Sequence, residues 1–100
     1  ILLQPDTRQQ LLLLFKEAMH NCLKYAQARE AQLKIERHAN ALRISFYDNG
    51  QGFVLEDRTG SGYGLKNMQQ RAKKMGAQFI IQSTPGKGTT LVLDEIPQMG

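Results

Sequence analysis

Glu17, Asn21 and Lys24 are spaced i, i+4, i+7, which puts an acid, an amide and an amine on one narrow strip of any helix that holds them. A magnesium–phosphate site would use such a set. The amide oxygen can ligate Mg²⁺, the ammonium can meet phosphate oxygens, and the carboxylate can act as a base or orient a nucleophile. Helix periodicity alone favours a plainer reading, a solvated helix face. Leu13, apolar and in the same strip, is a sign that something covers that face. Asp48-Asn49-Gly50-Gln51-Gly52 offers a second chemistry. A carboxylate at a strand end can accept a hydrogen bond from an exocyclic amine such as that of adenine, and nearby glycines let backbone approach a flat ring. Taken alone, Asp-Asn-Gly reads more simply as a turn.

A third stretch, Gly60-Ser61-Gly62-Tyr63-Gly64-Leu65, leads into a predicted helix. Free backbone N–H groups and the helix dipole favour phosphate at such an N-terminus. It is neither a Walker loop, for want of Gly-Lys-Ser/Thr at the required spacing, nor the dinucleotide fingerprint. Gly86-Lys87-Gly88-Thr89 also fails as a Walker loop and reads as a hairpin turn. Cys22 falls on an apolar stripe and is expected in the core. His20 and His38 lack metal-ligand spacing, so no zinc site is expected. Lys66, Arg71, Lys73 and Lys74 read as a solvated helix face, with a phosphate-facing role open to Lys66 in the first turn.

The elements that position these residues follow from periodicity. Asp6 or Thr7 is a plausible N-cap for a helix running to about Ala28. Leu11, Leu12, Leu14, Phe15, Ala18, Met19, Cys22, Leu23, Tyr25 and Ala26 form its apolar half. Alternation predicts strands over 32–37 and 41–47, joined by a turn at His38-Ala39-Asn40. Residues 49–63 form an irregular, glycine-rich loop long enough to need a purpose. A second helix over 64–75 buries Leu65, Met68, Ala72 and Met75 and stops at Gly76. Strands over 78–83 and 89–95 flank the turn Pro85-Gly86-Lys87-Gly88. This order predicts an α+β fold, an α/β sandwich with a mixed, mostly antiparallel sheet and helices packed on one face.

One hundred residues fit a single domain, and 41% hydrophobic with 22% charged content is that of an ordinary globular chain. The net charge of +4 could draw a polyanion such as a triphosphate, but no long Lys/Arg run suggests a nucleic-acid arm. The one cysteine excludes an intrachain disulfide and fits a reducing compartment. No apolar stretch approaches the about 18 residues of a membrane helix, and no signal peptide is visible. Starting at Ile1 almost directly on its first helix, the chain reads as a fragment of a longer protein.

Together these segments resemble the ATP-binding catalytic domain of bacterial sensor histidine kinases, the Bergerat fold. The branch most resembled is the one whose sensors often pair with helix-turn-helix response regulators. Phe15-Lys-Glu-Ala-Met-His-Asn-Cys-Leu-Lys-Tyr-Ala26 resembles the N box, and Asp48-Asn-Gly-Gln-Gly-Phe53 the first glycine box. Gly62-Tyr-Gly-Leu-Lys-Asn-Met-Gln-Gln-Arg-Ala72 resembles the second glycine box, and Ser83-Thr-Pro-Gly-Lys-Gly-Thr-Thr90 the terminal hairpin motif.

The resemblance implies ATP and Mg²⁺ as cofactors. Asn21 would ligate the metal, and Asp48 would bind the adenine amine in a pocket shaped by Gly50 and Gly52. Gly62 and Gly64 would bring backbone N–H groups to the phosphates, which Lys24 and Lys66 would face. Thr89 would support Asp48 and the adenine, Tyr25 would border the purine, and Phe53, Tyr63 and Leu65 complete the expected contacts. Glu17 matches the N-box acid, which activates water in gyrase-type ATPases.

Two departures stand out. The lid between the glycine boxes is short, and nothing resembles the helical hairpin that carries a phosphoacceptor histidine. The expected activity is therefore that of a protein histidine kinase whose substrate histidine lies on a separate dimerisation domain of the same parent, with a response regulator receiver domain downstream. Nucleic acid is not an expected partner. The fragment is expected to be soluble, monomeric and cytoplasmic, its parent a homodimer, with anchoring in the bacterial inner membrane left open. The alternative is an ATP-hydrolysing conformational switch of the gyrase or mismatch-repair type. Such proteins normally add a second domain that sends a lysine to the γ-phosphate. A third option, a docking module that has lost catalysis, fits poorly with survival of all the site motifs.

Overall fold

The computed structural model of the chain describes residues 3–21, 27–52 and 65–97, with Asn21 described in its backbone only. Helix α1 spans Pro5–Asn21. Its first turn closes where the Arg8 amide donates to the Gln4 carbonyl at 2.9 Å, so Gln4 is the cap rather than Asp6 or Thr7. The reason is Pro5, whose fixed φ and missing N–H suit the first helical position. Asp6 then sits in the first turn, where the dipole favours a carboxylate. The helix does not reach Ala28, because Gln27 has φ +51°, a left-handed conformation no α-helix contains.

Strands β1 (Ala31–His38) and β2 (Ala41–Asp48) form a hairpin with His38 paired to Ala41. Helix α2 runs over Leu65–Met75 and ends in a Schellman motif. Gly76, at φ +74°, donates to the Lys73 carbonyl, and the Ala77 amide reaches back to Ala72. Strands β3 (Gln78–Ser83) and β4 (Thr89–Pro97) follow. The sheet order is β1-β2-β4-β3, and every pairing among the described residues is antiparallel. The α+β class and the strand order along the chain are as predicted from sequence.

Both helices cover one face of this sheet. Leu14 and Ala18 of α1 and Leu65, Met68, Ala72 and Met75 of α2 pack on Leu42, Ile44 and Phe46 of β2 and on Leu91, Leu93 and Ile96 of β4. The stripe predicted for α2 is the stripe that is buried. That of α1 is rotated: Leu12 and Met19 remain 63% and 45% exposed, while Gln10, Leu13 and Glu17 are half-buried. The rotation follows from α2, which packs against the Gln10 flank and holds it with an Arg71–Gln10 hydrogen bond of 3.1 Å. Arg71 is thus turned toward α1, whereas Lys66, Lys73 and Lys74 are exposed as expected. On the other flank, Phe15 and Met19 border an apolar groove of about 390 Å³ with Ala31, Leu33 and Phe46. Cys22, Leu23, Tyr25 and Ala26, expected in the apolar half of α1, lie outside the described residues.

In β4 a bulge corrects the phase of the strand. Leu42 pairs with Ile96 but Ile44 with Leu93, so two residues, Asp94 and Glu95, oppose Arg43. Glu95 takes φ +58°, and Ile96 returns to the core with no exposed surface. No helix among the described residues is long and apolar enough to cross a membrane.

Candidate nucleotide site

Four of the predicted site residues, Asp48, Gly50, Gly52 and Thr89, lie together at the end of the sheet where β2 stops and β4 starts. Asp48 is the last residue of β2, not the first residue beyond it, and pairs with Thr89, the first of β4. Side-chain alternation places Asp48 in phase with Leu42, Ile44 and Phe46, toward the helices, and it is only 5% exposed. A buried carboxylate needs hydrogen-bond donors. The Gly50 amide donates to Asp48 Oδ1 at 2.9 Å, forming an Asx turn, while Oδ2 has no partner among the described residues.

Two glycine-bearing turns meet here, backbone to backbone. The β3–β4 turn closes with the Lys87 amide donating to the Thr84 carbonyl at 2.9 Å. Pro85 and Gly86 sit at its corner, with Gly86 at φ +80°, as a type II turn requires. The Gly86 amide then donates to the Gln51 carbonyl at 2.6 Å. Gly52, at φ +66°, leaves no room for a Cβ beside the Thr84 carbonyl oxygen. Gly88, at φ +84°, leaves none beside that of Asp48. Residues 48–52 and 84–88, far apart in sequence, thus form one structure.

Thr89 is fixed within it. Its hydroxyl lies 2.8 Å from Ser83 Oγ, which donates to the Gly88 carbonyl at 3.2 Å. The Thr89 hydroxyl is thus tied through Ser83 to the turn that carries Gly88. Asn49 secures the other side. Its Oδ1 accepts from the amides of both Arg29 and Glu30 at 2.9 Å, and its own amide donates to the Glu30 carbonyl at 3.1 Å. The segment after α1 is therefore clamped to the end of β2. Sequence reading gave roles to neither Asn49 nor Ser83. Asn49 hid inside a common turn tripeptide, and Ser83 acts only through a strand pairing.

The remaining expected residues divide into two groups. Glu17 is half-buried on α1, and Asn21 ends the described part of that helix one turn later. Leu65 is buried at the start of α2, and Lys66, exposed beside it, lines a groove between α2 and β3. Lys24, Tyr25, Phe53, Gly62, Tyr63 and Gly64 lie outside the described residues.

The described residues form a four-stranded antiparallel sheet with two helices on one face and a buried carboxylate at its end, an arrangement known from solved structures. The chain superposes with a TM-score of 0.79 over 95% of its length on a blue-light activated histidine kinase from Erythrobacter litoralis, covering 32% of that chain at 22% identity. It superposes at 0.73 on the ATP binding domain of PrrB from Mycobacterium tuberculosis, at 27% identity, covering 92% of this chain and 69% of that one. The family of histidine kinase-, DNA gyrase B- and HSP90-like ATPases matches residues 6–99, and the chain belongs to it. Among curated relatives, the sensor protein VraS of Staphylococcus saprophyticus is 36% identical over 76 residues, which is 76% of this chain and 22% of VraS. The histidine-protein kinase/phosphatase DegS of Brevibacillus brevis is 31% identical over 83 residues, 83% of this chain and 22% of DegS. The chain thus spans about a fifth of the length of these relatives.

Proposed function

We propose that this chain binds Mg-ATP and is the catalytic domain of a protein histidine kinase in two-component signalling. The γ-phosphoryl group passes to an imidazole nitrogen of a histidine on a separate dimerisation domain: a P–N bond forms as the bond to the β-phosphate oxygen breaks, and ADP leaves. A receiver domain of a response regulator then takes the phosphoryl group. The observation that carries this reading is the buried Asp48 locked between two glycine turns, in a chain whose relatives include a sensor protein and a signal transduction histidine-protein kinase/phosphatase.

Within this reading, Asp48 Oδ2 accepts from the adenine amine while Gly50 occupies Oδ1, and Thr89 offers its hydroxyl from the facing strand. Gly50 and Gly52 shape the adenine pocket. Asn21 supplies an amide oxygen to Mg²⁺, a hard cation suited to oxygen donors such as Asn21 and the neighbouring Glu17. The bound metal would neutralise phosphate charge. Lys24 and Lys66 serve the phosphates with the backbone of Gly62 and Gly64, and Tyr25, Phe53, Tyr63 and Leu65 complete the contacts. Catalysis then rests on positioning and charge neutralisation, with Glu17 as the one candidate base.

Calorimetry tests the site. Asp48→Ala should abolish ATP binding while circular dichroism stays native; unchanged affinity would overturn the assignment. Asn21→Ala should remove the Mg²⁺ dependence of binding, and persistence of that dependence would mean another ligand holds the metal. The chain alone should show negligible turnover and should phosphorylate an added histidine hairpin. Steady ATP hydrolysis without one would favour the gyrase-type switch.

A further inference from the structure

We propose that the groove between α2 and β3 is a docking site for an extended acidic segment of a protein partner, distinct from the adenine pocket at Asp48. The groove encloses about 420 Å³. Its walls carry Lys66, Gln69, Gln70 and Lys73, and its floor is apolar, built from Ala77 and the half-buried Phe79.

Three observations select the partner. First, charge here has one sign: α2 carries Lys66, Arg71, Lys73 and Lys74 and no acid, and β3 has no charged residue. Arg71 is engaged with Gln10 of α1, and Asp94 of the neighbouring strand is paired with Arg43, which leaves the groove lysines without an acidic partner among the described residues. Second, β3 is an edge strand that pairs only with β4, so among the described residues the outer side of its 78–82 stretch has no strand neighbour. An extended peptide can add to such an edge, with alternate side chains entering the groove. Third, small-ligand sites enclose most of their ligand, whereas this trough is open along an edge. Among the described residues, no lysine lines the groove beside β1, which gives no such charge signal. A segment alternating carboxylates with one or two apolar anchors satisfies all three features: the anchors meet Phe79 and Ala77, and a carboxylate meets Lys73.

Titration of the isotope-labelled chain with a short peptide of alternating Glu and Leu tests this, with a Lys/Leu peptide of equal length as counterpart. Amide resonances of residues 69–73 and 78–82 should shift with the acidic peptide only, and saturating Mg-ATP should not displace it. Lys73→Glu should weaken binding about fivefold or more. Lys74→Glu, the same charge change outside the groove lining, should weaken it far less. Equal binding of both peptides, equal loss in both variants, or shifts centred on residues 48–52 would overturn the proposal. So would an oligonucleotide of matched charge displacing the peptide. Absence of binding would overturn it too, and would leave the ATP assignment standing, because that assignment is carried by Asp48 and its turns and gives Lys73 no role.

Discussion

At the scale of single residues, the sharpest constraint is the contact between Gly88 and Asp48. A methyl group at position 88 would collide with a backbone carbonyl, which cannot swing away as a side chain can, and φ there is +84°. Gly86 has nearly the same φ, +80°, but open space around its α-carbon. The pair separates two costs. Gly86→Ala should lose about 1–2 kcal/mol from left-handed strain alone. Gly88→Ala should lose at least about 2 kcal/mol and also weaken ATP binding, because the Asp48 turn must move. Denaturant midpoints and calorimetry on both variants check this, and equal behaviour would refute the contact. In sequence these glycines look alike, since both belong to one Gly-Lys-Gly stretch. Only the chain that packs against each one tells them apart.

At the scale of elements, the helices and strands were largely legible because burial repeats with their own periods. The buried positions of α2 match its 3.6-residue pattern, and those of β2 alternate without a break from Leu42 to Asp48. Helix α1 was less legible. Its apolar half is wider than the surface α2 and the sheet can cover, so the pattern could not say which flank would be left out. The bulge in β4 was not legible either, since Asp94 and Glu95 carry no glycine to mark it. Glu95→Gly should therefore stabilise the chain by about 0.5 kcal/mol, relief of left-handed strain offset by the entropy of glycine. That corresponds to a melting temperature higher by about 2–4 °C; a fall would mean that the bulge is not strained. Asn49→Ala should cost about 1–2 kcal/mol, because two backbone amides lose their shared acceptor and fall back on water. A chemical denaturation midpoint measures it.

At the scale of the molecule, the sheet connects segments that sequence presents separately. If the site binds as proposed, Mg-ATP at a hundred times its Kd should add about 2.7 kcal/mol to unfolding. The thermal midpoint should rise accordingly in the native chain and not in Asp48→Ala. Sequence by itself determined the element types, the α2 core stripe and the resemblance to a nucleotide-binding family, because these rest on local periodicity and on short motifs. It also singled out Asp48 and Thr89. Only the tertiary structure decided that they face each other, that Ser83 holds the Thr89 hydroxyl, and that residues 48–52 and 84–88 pack as one unit. It alone decided which flank of α1 is buried. These depend on strand register and on the packing of one helix against another, and both are contacts between distant residues that no local pattern records.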